Sequence, residues 1–468
     1  MWGITLDYRS ELGLSQQIYG SLKARILSGQ MAQGEGLPST RELAGALGVS
    51  RNTVSVAYDM LWTEGFIVRR QGAPSRVAEG LQIRQAQKSD ESQKDERNKL
   101  EIIWDFGTGQ PDLSAFPWMV WSEMLREAAN SLPARQYAYS GPKGYEPLCA
   151  EIADWLFRAR NMEVDPEDVF ITSGSTQALY LLIDILKHDN RAFVLEDPCH
   201  PGIRTMIADK GLSLDWMPVD RQGAEIAALS GREIAAVYVT PSHQFPLGGI
   251  LPASRRAAML GLAAEEDFYI MEDDYDSEFR YTGMPVSPIY AMDSTRVIYI
   301  GTFSKTMFPA LRIGFVVLPK ALHRAWRHNR NYMDVQNPVL EQAALAMFLK
   351  TRKLDRHVRR MRRLYGEKRG ALIGALQAAF GDTVIPWGDA SGLHIALQFP
   401  GLTFGRPFIR SCEEEGIRIS PVSRYCSLAQ AHTDKLLIGY GHLNGEQIFG
   451  GIEALRRLIL GMSRNAIR

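Results

Sequence analysis

The stretch Gly301-Thr-Phe-Ser-Lys-Thr-Met-Phe-Pro-Ala-Leu-Arg-Ile-Gly314 places one lysine, Lys305, between a small-residue turn and an arginine seven positions on. It follows Val297 to Ile300, an apolar run of the kind that forms a buried strand. Similar runs at Val169 to Thr172, Ala192 to Leu195, Ala235 to Thr240 and Tyr269 to Met271 alternate with helical patterns such as Gln177 to Ile185 and Ala253 to Glu265. This alternation predicts an α/β layer around a mostly parallel sheet, with ligands bound at the C-terminal ends of the strands. Lys305 lies just beyond one such end.

A lysine that forms a Schiff base must be partly neutral, and the resulting imine needs an electron sink held in a fixed orientation. With pyridoxal phosphate as the sink, the site requires an acid at the ring nitrogen, a partner for the phenolic oxygen and donors around the phosphate. The chain supplies candidates for each. Thr172-Ser-Gly-Ser-Thr-Gln177 follows a strand and opens a helix, so its N–H groups and the Ser175 and Thr176 hydroxyls can cradle a phosphate. Glu272-Asp-Asp-Tyr275 ends another strand and offers a carboxylate and a phenol, while Thr302 and Arg312 flank the lysine. Taken singly, these motifs read as a helix cap, a solvated acidic loop and a chance Ser-Lys pair. Their succession at consecutive strand ends points to a cofactor site.

The first eighty residues have a different design. Ile18, Leu22, Ile26 and Leu27 predict a helix from about Ser15 that stops near Gly29. Ser39 and Glu42 form an S-x-x-E capping box ahead of a second helix with Leu43, Ala46 and Leu47 as its buried stripe. Gly48 ends that helix, and Ser50 caps a third one carrying Val54, Tyr58 and Leu61. A tight Leu-Gly-Val-Ser turn between two short helices is a helix-turn-helix, whose second helix offers Arg51, Asn52 and Thr53 to a major groove. Phe66 to Val77 reads as a two-stranded wing with Gly72 at its tip.

Residues 79–103 are rich in charge, Gln and Ser and poor in large apolar side chains, which predicts a linker. The expected organisation is therefore a DNA-binding head over 1–78, a charged linker over 79–103, and a large domain over 104–468 whose small C-terminal subdomain starts at about 340.

Lys+Arg and Asp+Glu both number 53, so no global field draws the protein to nucleic acid or anionic lipid. The head holds eight basic and six acidic residues, so two half-sites read by a dimer are expected. Residues 350–369 hold ten Lys or Arg against two acids, which reads as a solvated helix face or a second DNA-contacting surface. The four cysteines, Cys149, Cys199, Cys412 and Cys426, form no C-x-x-C pair and read as structural thiols, with no metal site. No leader and no apolar run of membrane-spanning length is evident, so a cytoplasmic protein is expected.

Two resemblances sharpen the reading. Residues 11–77 resemble the winged helix-turn-helix of the GntR family of bacterial regulators. From Asp105 onward the chain resembles the fold-type I pyridoxal-phosphate aminotransferases, through Tyr139 with Gly141-Pro-Lys-Gly144, Ser173 to Gln177, Glu196-Asp-Pro198, Thr240-Pro-Ser-His-Gln-Phe-Pro246, Asp273 with Tyr275, and Ser304-Lys305 with Arg312. The combination resembles the MocR subfamily of GntR-type regulators.

The resemblance implies promoter DNA as a partner, contacted by Arg41, Ser50, Arg51, Asn52 and Thr53 with Gly72 as the wing tip. It implies a pyridoxal phosphate held by Lys305 as an aldimine, by Asp273 at the ring nitrogen, by Tyr275 at the phenolic oxygen, and by Ser175, Thr176, Thr302 and Arg312 at the phosphate. His200 replaces the usual stacking tyrosine, and His243 or Gln244 replaces the usual asparagine at the ring oxygen, where this chain has Phe245. Either neighbour of Asp273 could also take the ring nitrogen. Tyr139 would reach the cofactor of a partner subunit in a homodimer with exchanged heads, and Arg424 would bind an effector's acidic group. The implied function is transcriptional regulation by an amino compound, or by the cofactor itself. The alternative is a working aminotransferase with an accessory head.

Overall fold

The computed structural model describes residues 4–70, 73–81, 101–283, 286–388 and 390–465. The chain divides into two compact units, Met1–Asn98 and Lys99–Arg468.

The first unit contains helices α1 (Leu14–Leu27), α2 (Thr40–Leu47) and α3 (Arg51–Thr63) and strands β1 (Ile67–Val68) and β2 (Arg76–Val77). Capping fixes where α2 begins: Ser39 Oγ accepts from the Glu42 N–H at 3.2 Å, and the Glu42 carboxylate accepts from the Ser39 N–H at 2.8 Å. Gly48 closes α2 in the left-handed region at φ 67°, where a side chain would be strained. Ser50 Oγ then caps α3 by accepting from the Thr53 N–H at 3.1 Å.

Ile18, Leu22, Ile26, Leu43, Val54, Tyr58 and Leu61 form the core with Ile67 and Val77 of the antiparallel wing, each full burial stabilising by about 1.5–3 kcal/mol. Ala46, expected in the stripe of α2, is exposed; Ala44 is buried in its place because the eight-residue helix meets the core on the Leu43–Ala44 side. Arg41, Arg51 and Asn52 are exposed, and Thr53 is half-buried. The expected wing tip, Gly72, lies outside the described residues, as does 82–100 of the expected linker.

The second unit is built on an eight-stranded sheet. Its order is Val169–Thr172, Gly314–Val317, Val297–Thr302, Tyr269–Asp274, Ile234–Val239, Ala192–Asp197, Leu214–Asp220 and Gly223–Ala224. The five strands from Val297–Thr302 to Leu214–Asp220 are mutually parallel, while Gly314–Val317 runs antiparallel to both its neighbours.

Both faces of the sheet are covered, which is why its inner strands read as unbroken apolar runs. Val194, Val237, Ile270, Val297 and Phe315 pack on one side in a core shared with the helices Trp118–Ser131, Glu146–Arg160 and Val339–Lys350. Phe193, Leu195, Met271, Ile298 and Val316 pack on the other against Ser175–Leu186, Pro201–Asp209 and His323–Met333.

A second core lies against an antiparallel sheet ordered Ile385–Trp387, His394–Gln398, Lys435–Gly439 and Ser420–Pro421, with the helices Lys353–Phe380, Arg406–Glu414 and Gly445–Asn465. It draws on the chain from Leu372 onward, together with Phe106. The helix Val339–Lys350, assigned from sequence to the C-terminal subdomain, instead buries Ala343, Leu345, Phe348 and Leu349 in the larger core. Along Lys353–Phe380 the buried side chains include Leu354, Val358, Met361 and Tyr365, leaving Arg356, Arg359, Arg360, Arg362 and Arg363 exposed. Among the described residues no helix is long and apolar enough to cross a membrane, and all four cysteines are free and buried.

Candidate functional site

A cavity of about 460 Å³ opens where the parallel strands end. Ser175, Thr176, His200, Asp273, Tyr275, Thr302, Lys305 and Arg312 all line it, so eight residues singled out in the sequence converge on one space.

The strand Tyr269–Asp274 sorts three consecutive acids by its two-residue alternation. Glu272 turns into the fold and accepts from the N–H groups of Ile289 and Tyr290, each at 2.9 Å. Asp274 accepts from the Tyr299 hydroxyl at 2.7 Å and pairs with Arg160, which also holds Glu278 at 2.9 Å. Of the three, Asp273 alone lines the cavity. Its Oδ2 accepts from the Tyr238 hydroxyl at 2.8 Å, whereas its buried Oδ1 has no partner. Burial pushes the Asp273 carboxyl up to about 7, against the lowering effect of the Tyr238 hydrogen bond.

Lys305 donates from Nζ to the Gly109 carbonyl at 2.6 Å. Burial lowers its pKa, opposed by Asp276 and Asp273, which moves the amine toward the neutral form that attacks a carbonyl. Gly109 makes this approach possible: a Cβ there would sit 2.7 Å from Nζ, and its φ of +78° disfavours a side chain.

At another wall, Ser175 and Thr176 open the helix Ser175–Leu186 with Gly174 as its N-cap. The Arg312 guanidinium lies over this turn and donates to the Ser173 carbonyl at 2.6 Å. A Cβ on Gly174 would come within 3.0 Å of Arg312 Nη2, so glycine leaves room for the guanidinium. Thr302 Oγ1 accepts from the Ser304 N–H at 3.2 Å, which folds the chain back into the lysine turn.

His200 caps the helix Pro201–Asp209, its Nδ1 accepting from the Gly202 N–H at 3.1 Å. The residue is exposed overall, yet partial burial, then Lys305, lowers its pKa. The geometry leaves Nδ1 as acceptor and Nε2 as the N–H of the neutral ring.

Three expectations fare differently. His243 does not line the cavity: it sits behind Tyr275 with Nδ1 3.0 and 3.1 Å from the two oxygens of buried Asp276, which hold the imidazole back. Gln244 is likewise engaged elsewhere, donating to the carbonyls of Pro198 and Phe245. Tyr139 is 87% exposed and outside the cavity of its own chain. Arg424 is exposed and outside it as well; its segment is tied to the His200 turn by Cys199 N–H to Tyr425 O at 3.1 Å and Ser427 N–H to Asp197 at 2.8 Å.

Sequence reasoning missed Thr108, Gly109, Tyr238, Thr240, Asp276 and His394 as lining residues. Gly107-Thr-Gly109 and Gly392-Leu-His394 carried a faint signal, a small residue beside a polar one after a strand or turn. Thr240 is held by Glu196, which accepts from its N–H at 3.1 Å and its hydroxyl at 2.7 Å.

Residues 14–77 match the family described as bacterial regulatory proteins, gntR family, and residues 101–426 match aminotransferase class I and II. The class is thus a GntR-type helix-turn-helix joined to a fold-type I aminotransferase domain, and such a domain takes pyridoxal phosphate. The chain is 31% identical to "Probable rhizopine catabolism regulatory protein MocR" of Rhizobium meliloti across 98% of this chain and 96% of that one. It is 32% identical to the pyridoxine biosynthesis transcriptional regulator PdxR of Corynebacterium glutamicum, across 78% and 79%.

Among solved structures, the multiple substrate aminotransferase of Thermococcus profundus matches with a TM-score of 0.71 at 25% identity, over 78% of this chain and 93% of that one. The α-aminoadipate aminotransferase LysN of Thermus thermophilus matches with a TM-score of 0.71 at 26% identity, over 79% and 95%. The protein belongs to the MocR-type GntR transcriptional regulators.

Proposed function

We propose that the protein regulates transcription by coupling occupancy of the Lys305 cavity to promoter binding by its head. The observation that carries this is the meeting, in one cavity, of a buried lysine with depressed pKa and a buried, unpartnered Asp273 oxygen, in a chain with a DNA-binding head.

The cavity's groups suit pyridoxal phosphate. Asp273 Oδ1 is an acceptor for a protonated ring nitrogen, and its raised pKa would fall against that charge. Ser175, Thr176, the N–H groups at their helix start, Thr302 and Arg312 are donors for the phosphate. Tyr275 is the phenol nearest in role to the ring oxygen, and His200 supplies the stacking ring. Bound there, the cofactor would supply an aldehyde carbon able to take a primary amine, that of Lys305 or of a ligand.

Lys305 itself carries an amine able to accept a proton, under the influence of Asp276 and Asp273. An effector shifts the protein between arrangements only if it binds them unequally, and that difference is what the head would report. Arg41, Arg51, Asn52 and Thr53, with the Ser50 cap, are proposed to meet phosphates and base edges. Two heads reading two half-sites require a homodimer, in which exposed Tyr139 would reach the partner's cavity.

The test titrates promoter DNA with the cofactor-loaded protein at increasing concentrations of amines. An amine-dependent change in affinity or bending supports the reading, and none with any amine overturns it. A second reading, turnover as an aminotransferase, is favoured by the intact Lys305; release of a keto product from an amino donor would support it. A response to cofactor alone, lost in Lys305→Ala, would instead make the cofactor the signal.

A further inference from the structure

The cavity wall beyond Lys305 is built differently from the phosphate side. Among the described residues lining the cavity, the Lys and Arg side chains are Lys305 and Arg312. Arg312 is committed to the Ser173 and Gly174 turn. Asp276, His394, Leu393, Thr108 and Gly109 also line the cavity, and none of them is a guanidinium.

Two of these side chains have fixed hydrogen-bonding character. His394 is 2% exposed, and one of its ring nitrogens is satisfied by the Pro246 carbonyl, so that nitrogen carries the proton. Its Nε2 is therefore the lone pair of a neutral ring, buried and without a partner. Burial, then the adjacent His243 ring at 4.8 Å between centroids, drives the His394 pKa well below its usual value and keeps the ring neutral. Asp276 is likewise 2% exposed and takes the His243 Nδ1–H on its carboxylate, which leaves further lone pairs. Apart from the His394 N–H already given to Pro246, both groups only accept.

A carboxylate or sulfonate placed against this wall would meet a buried carboxylate and an imidazole lone pair, with the Thr108 hydroxyl as the one further side-chain donor among these five residues and no cation to pair its charge. A hydroxyl or a second amine would donate to both. From this geometry we infer that the effector is an amine bearing at least one further hydrogen-bond donor, an amino polyol or a diamine, and no acidic group. This rests on the amine-sensing reading above and narrows it. Arg424 is exposed and is not part of this wall.

The test uses the full chain loaded with cofactor and follows the cofactor's visible absorbance. The probes are 2-amino-1,3-propanediol and putrescine on one side, γ-aminobutyrate and taurine on the other. The expected result is that the donor-bearing amines shift the absorbance at concentrations lower by about 10-fold or more, the penalty for leaving one buried polar group unpaired.

His394→Phe keeps the ring volume and removes the acceptor, so this preference should shrink to within about 3-fold; Asp276→Asn serves if that variant fails to fold. Arg424→Ala should keep the full preference. Equal or tighter response to γ-aminobutyrate or taurine would overturn the inference and leave amine sensing standing. No response to any of the four amines, with the cofactor's absorbance present, would overturn amine sensing as well.

Discussion

The two ends of the cavity differ in what they offer a ligand. One end is all donors: a helix N-terminus, two hydroxyls and the Arg312 guanidinium. Elsewhere the lining offers acceptors, Asp276 and the lone pair of His394, and Lys305 lines the same cavity. The contrast separates the part of the site that suits a fixed phosphate from the part free to discriminate among amines. On the inference drawn above, specificity would lie in the wall that the sequence motifs did not mark.

Loss of the lysine should have the largest effect. Lys305→Ala is expected to abolish the covalently linked absorbance and every amine response; retention of an amine-dependent spectral change would break the division.

Asp273 follows, through pH. Its folded pKa of about 7 lies above the ordinary 3.8, so the cofactor-free fold favours the protonated carboxyl. That contribution is complete below the unfolded pKa and is lost as pH rises through about 7, amounting to at most about 4 kcal/mol. Cofactor-free Asp273→Asn should therefore gain stability relative to the unsubstituted protein between about pH 4 and pH 7, measured as Tm against pH. A parallel pair of curves would contradict the assignment.

Arg312→Ala should weaken cofactor binding by about 2–3 kcal/mol, or 30- to 150-fold, in a dialysis or fluorescence titration. If affinity held, the donor end would not be the phosphate end. Ser39→Ala, which breaks the capping box of α2 in the head, should cost about 1 kcal/mol in the thermal transition of that unit. Because it touches neither end of the cavity, the cofactor spectrum should not change.

Much of this arrangement was legible in the sequence, for identifiable reasons. Strands buried on both faces, such as Val297–Thr302 and Ile234–Val239, announce themselves as apolar runs, and Lys305, Asp273 and Ser175 stand beside them at strand ends. Leu214–Asp220 was missed because Asp215 and Pro218 interrupt it and it flanks the sheet with one well-covered face. The antiparallel strand Gly314–Val317 is only four residues long and was absorbed into the lysine motif.

Asp276 and His394 were not legible, because their partnership depends on packing between a loop after one sheet and a strand of another. No spacing in the chain predicts that Gly392 lets the His243 ring lie where a Cβ would fall 2.1 Å from it. His243 illustrates the converse: its motif suggested the ring oxygen, but a buried carboxylate three residues after Asp273 claimed it.

The central claim is that amine occupancy at Lys305 is read at DNA. The most direct measurement follows cofactor absorbance and promoter-DNA affinity in one titration of the full, cofactor-loaded chain with an amine that shifts the spectrum. The account predicts that the two changes share a midpoint and that Lys305→Ala loses both. A complete spectral change with promoter affinity and bending unaltered would contradict it.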